Sequence, residues 1–221
     1  MVMARDRKLT QKRIYEEESF PKSYLESVRA NIAPYVRGRV LDIGGHDGAL
    51  LDRFTRGDFY VVDLVDAPLK RAREKGYNAR KADMHSLPFE GDFFDTVIMV
   101  NVLEHSPDPL RAMREAKRIL KKGGRAVIDV PNARSIRQLL NLLKGDPLPS
   151  GNSVDFDLEP NHYFQYTSRQ LEKIVSLAGL KAVRCFGKKP VSPVFNFLFR
   201  LLGDGLNRVI CTDIILVAEK N

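Results

Sequence analysis

The residues with the most chemical meaning stand in Val40-Leu41-Asp42-Ile43-Gly44-Gly45-His46-Asp47-Gly48. An apolar run ends on an acid, and the chain then enters a glycine-rich turn. Glycines let backbone N–H groups approach a ligand closely, and a turn that opens a helix aims those groups outward. Three further polar residues, Asp63, Asp83 and Asn101, fall at or just past the ends of later apolar runs. In open α/β sheets, ligands bind beyond the carboxyl ends of the strands. The set therefore points to a nucleoside-type cofactor. A dinucleotide turn wants G-x-G-x-x-G and a phosphate loop wants G-x-x-x-x-G-K-[ST]; the turn fits neither. An acid at Asp42 suits a cationic ligand group better than a phosphate.

Two histidines are placed to handle a proton. A neutral imidazole is well poised to deprotonate a bound molecule near neutral pH. His105 follows Glu104 shortly after Asn101. It reads as a general base, as a wall of an acceptor pocket, or as a residue satisfied at a helix start. His162 and Tyr163, in Asn161-His162-Tyr163-Phe164-Gln165-Tyr166, either bind and deprotonate a substrate or pack their loop onto the sheet. Glu104 and His105 alone make a poor divalent-metal site, so no metal is expected. His46 reads as a turn residue and Asp95 as a structural acid at a strand start.

These side chains need a scaffold, and the periodicities supply one. Helices are expected over Pro21–Tyr35, Asp47–Thr55, Pro68–Lys75, Pro107–Leu120, Ile136–Leu143 and Ser168–Leu177. Strands are expected over Arg39–Ile43, Phe59–Leu64, Asn78–Ala82, Phe94–Val100, Ala126–Val130, Leu180–Phe186 and Asp213–Glu219. Lys121-Lys122-Gly123-Gly124 reads as a helix stop, with cations and then glycine. Strands alternating with helices imply βαβ units and a mostly parallel sheet covered on both faces. The fold class is α/β, a Rossmann-like doubly wound sheet.

The ordered motifs closely resemble those of class I S-adenosylmethionine-dependent methyltransferases of the small-molecule type, similar to quinone-biosynthesis methyltransferases. Asp42, Gly44 and Gly48 match the first motif, [DE]-x-G-x-G-x-G, with His46 in place of its middle glycine. Val61-Val62-Asp63-Leu64, Lys81-Ala82-Asp83-Met84 and Asn101-Val102-Leu103-Glu104-His105 follow in the family's order. The resemblance implies seven strands with the last antiparallel, and S-adenosyl-L-methionine as cofactor. It implies that Gly44, Gly45, His46 and Gly48 contact the methionyl moiety while Asp42 orients the turn and the ligand's ammonium. Asp63, with Leu64 beside it, would take the ribose hydroxyls. Asp83 would accept from the adenine amino group, Met84 would border the ring, and Asn101 would complete the cofactor site. Tyr15 and Tyr24 would belong to an N-terminal lid.

Length and composition frame the rest. A chain of 221 residues is read as one domain: an arm and lid helix over 1–35, a cofactor-binding half over 36–130, and an acceptor-binding half over 131–221. Its apolar fraction of 43% and charged fraction of 29% are ordinary for a globular chain. The net charge of +8 comes from scattered residues, which argues against nucleic acid as partner. Cys185 and Cys211 form no CxxC pair, and no signal peptide or apolar run of membrane-spanning length is seen, so the cytoplasm is expected. The apolar run Pro193–Leu202 reads as a lipid-like acceptor site or peripheral membrane contact, or else as core or a dimer interface. A monomer or homodimer is expected. The expected activity is methyl transfer to an O, N or C nucleophile of a small-molecule acceptor. The alternatives are an RNA or protein methyltransferase, or a cofactor-binding regulatory subunit without catalysis.

Overall fold

The computed structural model describes residues 21–144, 162–188, 203–204, 206–208 and 210–221. Tyr15 and the expected N-terminal arm, residues 145–160, for which the sequence leads one to expect a loop, and the apolar run Pro193–Leu202 lie outside the described residues.

Seven strands form one sheet in the order β3-β2-β1-β4-β5-β7-β6. They are β1 (Arg39–Ile43), β2 (Asp58–Asp63), β3 (Asn78–Lys81), β4 (Phe94–Val100), β5 (Leu120–Pro131), β6 (Lys181–Gly187) and β7 (Asp213–Glu219). The first five pair in parallel. β7 runs antiparallel to both β5 and β6. The strand order reverses at β1, between β2 and β4, so the ligand crevice of an open sheet falls at the end of β1.

Two apolar layers sandwich the sheet. On one face, α1 (Lys22–Ile32) buries Leu25, Val28 and Ile32, and α2 (Asp66–Glu74) buries Leu69 and Ala72, against Val40, Val61, Ile98 and Val127. On the other, α3 (Pro109–Ile119) and α5 (Ser168–Leu177) cover Leu41, Val97, Met99 and Ile128. Alternate strand residues feed opposite layers, as the pleat requires. Asp108 caps α3 by accepting from Arg111 N–H at 3.0 Å, with Pro109 at its first position. Thr167 and Gln170 form a capping box on α5. α4 (Ile136–Leu143) follows β5. Among the described residues, no helix is long and apolar enough to cross a membrane.

Two elements differ from expectation. The helix expected over Asp47–Thr55 is reduced to a 3-10 turn, Leu51–Arg53. Asp47 Oδ1 accepts from Ala49 N–H at 3.1 Å, and Gly48 takes φ +73°. These local bonds compete with a helix too short to repay its nucleation. Leu50 and Leu51 are buried all the same, which explains the helical look of their spacing.

The helix stop at Lys121-Lys122-Gly123-Gly124 is instead the start of a strand. α3 ends at Ile119, and β5 begins at Leu120. Gly123, at φ +72°, donates to the Lys220 carbonyl at 2.7 Å, while Lys121 Nζ reaches Asp95 at 2.8 Å. The glycines bend a strand start and the lysine anchors it.

Candidate functional site

The turn after β1 is built by backbone bonds to its neighbour β2. Gly44 and Gly45 N–H groups donate to the Val62 carbonyl at 2.8 and 3.2 Å. His46 N–H donates to Asp63 Oδ2 at 3.1 Å. Gly44 and His46 both sit in the left-handed region, at φ +70° and +53°. A Cβ on Gly44 would lie 2.5 Å from Val102 Cγ2, so the turn presses against the segment after β4. His46 keeps the turn despite having a side chain. Its ring is buried, with Nδ1 3.4 Å from Asp47 Oδ1.

Asp63 joins two turns. Besides His46 N–H, its other oxygen accepts from Val65 N–H at 3.0 Å, and the residue is 5% exposed. A carboxylate oxygen is an acceptor that can take more than one hydrogen bond. Leu64 beside it is 58% exposed and borders open space.

Asp42 lies buried at the sheet's switch point. Burial, and next the negative charge of Asp63, push its carboxyl up to about 8. Asp47 goes the other way. Burial alone would raise it, but the His46 hydrogen bond and the Lys75 ammonium at 3.2 Å outweigh burial and hold it well below the usual carboxylate range. Asp42, Gly44, Gly45 and Asp47 line a small cleft roofed by Tyr24 and Leu25 of α1.

Asn101 faces the same region at φ +48°. Its Nδ2 donates to the Tyr24 hydroxyl at 2.8 Å, and its N–H to the Asp129 carbonyl at 2.9 Å. Its Oδ1 is buried with no hydrogen-bond partner among the described residues.

Asp83 and Met84 stand beyond β3. Asp83 is exposed and held below the usual carboxylate range, chiefly by the His85 N–H at 2.8 Å. The His85 ring links it to Ser106, with Nε2 2.7 Å from Ser106 Oγ. Met84 packs half-buried against the core beneath. The third strand's end is thereby tied to the segment after β4.

His105 and His162, 57 positions apart by their numbers (162 − 105), meet in space. Their ring centroids are 4.7 Å apart, edge to face. Glu104 lies with them, almost fully buried. Tyr163 and Phe164 N–H groups donate to the Glu104 carbonyl at 2.8 and 3.3 Å, which fixes the segment carrying His162 against the turn Leu103–His105.

The fold also assembles a polar network that the sequence analysis does not single out. Lys188 Nζ lies 3.0 Å from Asp213 Oδ2, 3.4 Å from Asp129 Oδ2 and 4.8 Å from the centroid of the Tyr24 ring. Burial pushes Asp129 up to about 7, against the pull of Lys188. A signal was present: Asp129 closes an apolar run on β5 as Asp42 and Asp63 do on β1 and β2.

Residues 16–184 match the family model described as a methyltransferase domain. Over 168 residues the chain is 30% identical to the ubiquinone/menaquinone biosynthesis C-methyltransferase of Idiomarina loihiensis, covering 66% of this chain and 67% of that one. Over 101 residues it is 34% identical to the chloroplastic 2-methyl-6-phytyl-1,4-hydroquinone methyltransferase 2 of Oryza sativa subsp. japonica, covering 42% of this chain but only 29% of that relative's length. A solved S-adenosylmethionine-dependent methyltransferase from Archaeoglobus fulgidus shares the fold with a TM-score of 0.62 at 23% identity, over 89% of this chain and 94% of that one.

Proposed function

The chain belongs to the S-adenosylmethionine-dependent methyltransferase family, and on that premise we propose that it methylates an O, N or C nucleophile of a small molecule. When bound, S-adenosylmethionine supplies a methyl group made electrophilic by its sulfonium. The protein's part is to bind, align and exclude water.

The observation that carries this reading is Asn101 Oδ1, a buried acceptor with no hydrogen-bond partner among the described residues, on the side chain that bonds Tyr24 over the cleft. Such an acceptor suits an N–H donor, and an ammonium there would draw the buried Asp42 carboxyl of the same crevice, otherwise at about 8, into its ionised form. Asp63 offers its carboxylate to ribose hydroxyls, with Gly44, Gly45, His46 and Gly48 beneath the methionyl part. Leu64, Asp83 and Met84 form the edge that takes adenine. Tyr24 closes the cleft from α1.

The acceptor side is assigned to His105 and His162, which sit just past the residue that presses on Gly44. They handle the proton that the acceptor must lose. Both relatives act, by name, in quinone or hydroquinone methylation, which favours an acceptor of that kind: a ring bearing hydroxyl groups.

Calorimetric titration with S-adenosylmethionine and with its demethylated product tests the proposal. Binding of both, followed by methyl transfer to hydroxylated aromatic compounds, is the expected result. No binding at millimolar ligand would overturn it, and binding without turnover across acceptor classes would leave a regulatory subunit in its place.

A further inference from the structure

We propose that His85 is a positioning residue for the cofactor's purine ring: it braces the Asp83 carboxylate against Ser106 and so sets a preference for a 6-amino purine. The inference rests on the methyltransferase reading above, in which Asp83 takes the adenine amino group. The sheet puts Asp83 where that role needs it. Lys81, at the end of β3, pairs with Asp63, and Ala82 N–H donates to the Asp63 carbonyl at 3.0 Å. Asp83 comes next along the same carboxyl edge, with its side chain 54% exposed. A carboxylate so open to water would ordinarily sample several rotamers.

His85 restrains it from two directions. Its backbone N–H donates to Asp83 Oδ1 at 2.8 Å, and its ring Nδ1 meets the same atom. A carboxylate only accepts, so Nδ1 carries the proton. In the neutral ring Nε2 is then the acceptor, and the Ser106 hydroxyl, 2.7 Å away, donates to it. Among the described residues, these bonds fall on Oδ1 and none falls on Oδ2. One oxygen fixes the side chain while the other is outside the clamp.

The brace ends in fixed structure. Ser106 is fully buried, and its N–H donates to the Leu103 carbonyl at 3.1 Å. Arg111 Nε of α3 donates to the His85 carbonyl at 3.1 Å, and Glu115 Oε2 of the same helix accepts from Leu87 N–H at 3.0 Å. The backbone that carries the ring is therefore tied to α3. Supporting bonds of this kind hold a recognition group in its productive geometry. Asp, His and Ser in such a chain serve nucleophilic catalysis in other folds. Ser106 has no exposed surface from which to attack, so here the chain orients and does not react.

Selectivity follows from the match of donor to acceptor. The 6-amino group of adenine donates, and a carboxylate held in place accepts it in a charge-assisted bond. With hydrogen in place of the amino group, the same carboxylate is desolvated without a partner. A carboxylate free to turn back to water avoids that penalty and forms the adenine bond less well. Removing His85 should therefore narrow the difference between the two purines, where a general loss of structure would weaken both alike.

Full-length protein would be titrated by calorimetry with the demethylated product of S-adenosylmethionine and with its 6-desamino analogue, in which hydrogen replaces the amino group. The wild type should prefer the amino ligand by about tenfold or more. His85→Ala should lower that preference by about threefold or more, and Ser106→Ala should lower it in the same direction. Melting curves check folding, and either variant keeps the test usable if the other unfolds. A wild-type preference retained in the variants would overturn the inference, even if both ligands bound more weakly. Equal wild-type affinity for the two ligands would overturn it as well and leave the methyltransferase reading in place. Wild-type binding of neither ligand would bring down that reading itself, and the inference with it.

Discussion

Asn101 donates its side-chain amide to the Tyr24 hydroxyl at 2.8 Å, latching the end of β4 to the N-terminal helix α1. One amide atom therefore holds the roof of the cleft, while the other, Oδ1, is buried with no hydrogen-bond partner among the described residues. Tyr24→Phe should cost about 1 kcal/mol of stability, the net worth of one hydrogen bond. Asn101→Ala removes both atoms and should lower cofactor affinity more than Tyr24→Phe does. Urea unfolding and calorimetry, run on both variants, check the order; equal affinities would remove Asn101 from the cofactor site.

His46 occupies a left-handed position at φ +53°. A side chain costs about 1–2 kcal/mol there, and glycine does not. His46→Gly should therefore be more stable than His46→Ala by about 1 kcal/mol, although both lose the buried ring. Chemical denaturation of the pair decides it. An alanine variant as stable as the glycine variant would show that the turn relaxes out of this conformation.

Gly44→Ala adds a methyl group 2.5 Å from Val102 at φ +70°. Clash and backbone strain act together, so a loss of about 2–4 kcal/mol is expected. Adding Val102→Ala should restore the part owed to the clash and leave the part owed to φ. The double-mutant cycle reads this as a non-additive term; strict additivity would mean the two residues do not press on each other in solution.

Lys188→Met should be among the most damaging single changes, at about 3–5 kcal/mol, because it leaves Asp129 and Asp213 without their buried cation. Lys188→Met combined with Asp129→Asn should lose less than the single Lys188→Met. Thermal melting of the three proteins compares them. A double variant worse than the single would mean that Asp129 is stabilising without Lys188.

Asp42 gives a pH dependence with a definite sign. Its carboxyl stands at about 8 in the folded chain against 3.8 ordinarily. Between these values the folded state keeps a proton that the unfolded state has lost, so stability falls as pH rises, by up to about 1.4 kcal/mol per pH unit. Asp129, raised to about 7, adds a contribution of the same sign. Asp42→Asn should flatten the decline between pH 5 and 8, as read from urea midpoints across that range. Identical slopes in both proteins would place the Asp42 proton elsewhere.

The sheet was legible because its strands are short apolar runs with polar ends, and those ends mark the crevice directly: Asp42, Asp63 and Asn101 need only the strand rule. Leu51 shows the limit of periodicity, since a buried 3-10 turn and a short helix share its spacing. Lys121 and Gly123 show another, since cations before glycine end a helix or begin a bent strand according to whether Asp95 and Lys220 are near. His162 beside Glu104 was not legible at all. Their neighbourhood depends on backbone bonds between remote segments, and no local pattern encodes such a pairing. Lys188 is the same case, its partners coming from β5 and β7.

The position of β7 bears on synthesis. It lies between β5 and β6, paired with β5 from Arg125↔Glu219 to Pro131↔Asp213 and with β6 on its other side. On the ribosome, β6 therefore emerges with no strand to join, and the outer edge of β5 stays open until residue 219 has been made. Open edges are templates for aggregation. A nascent chain stalled before Asp213 would be a five-stranded sheet with a bare edge and an orphan strand, a substrate for chaperones more than a smaller working domain.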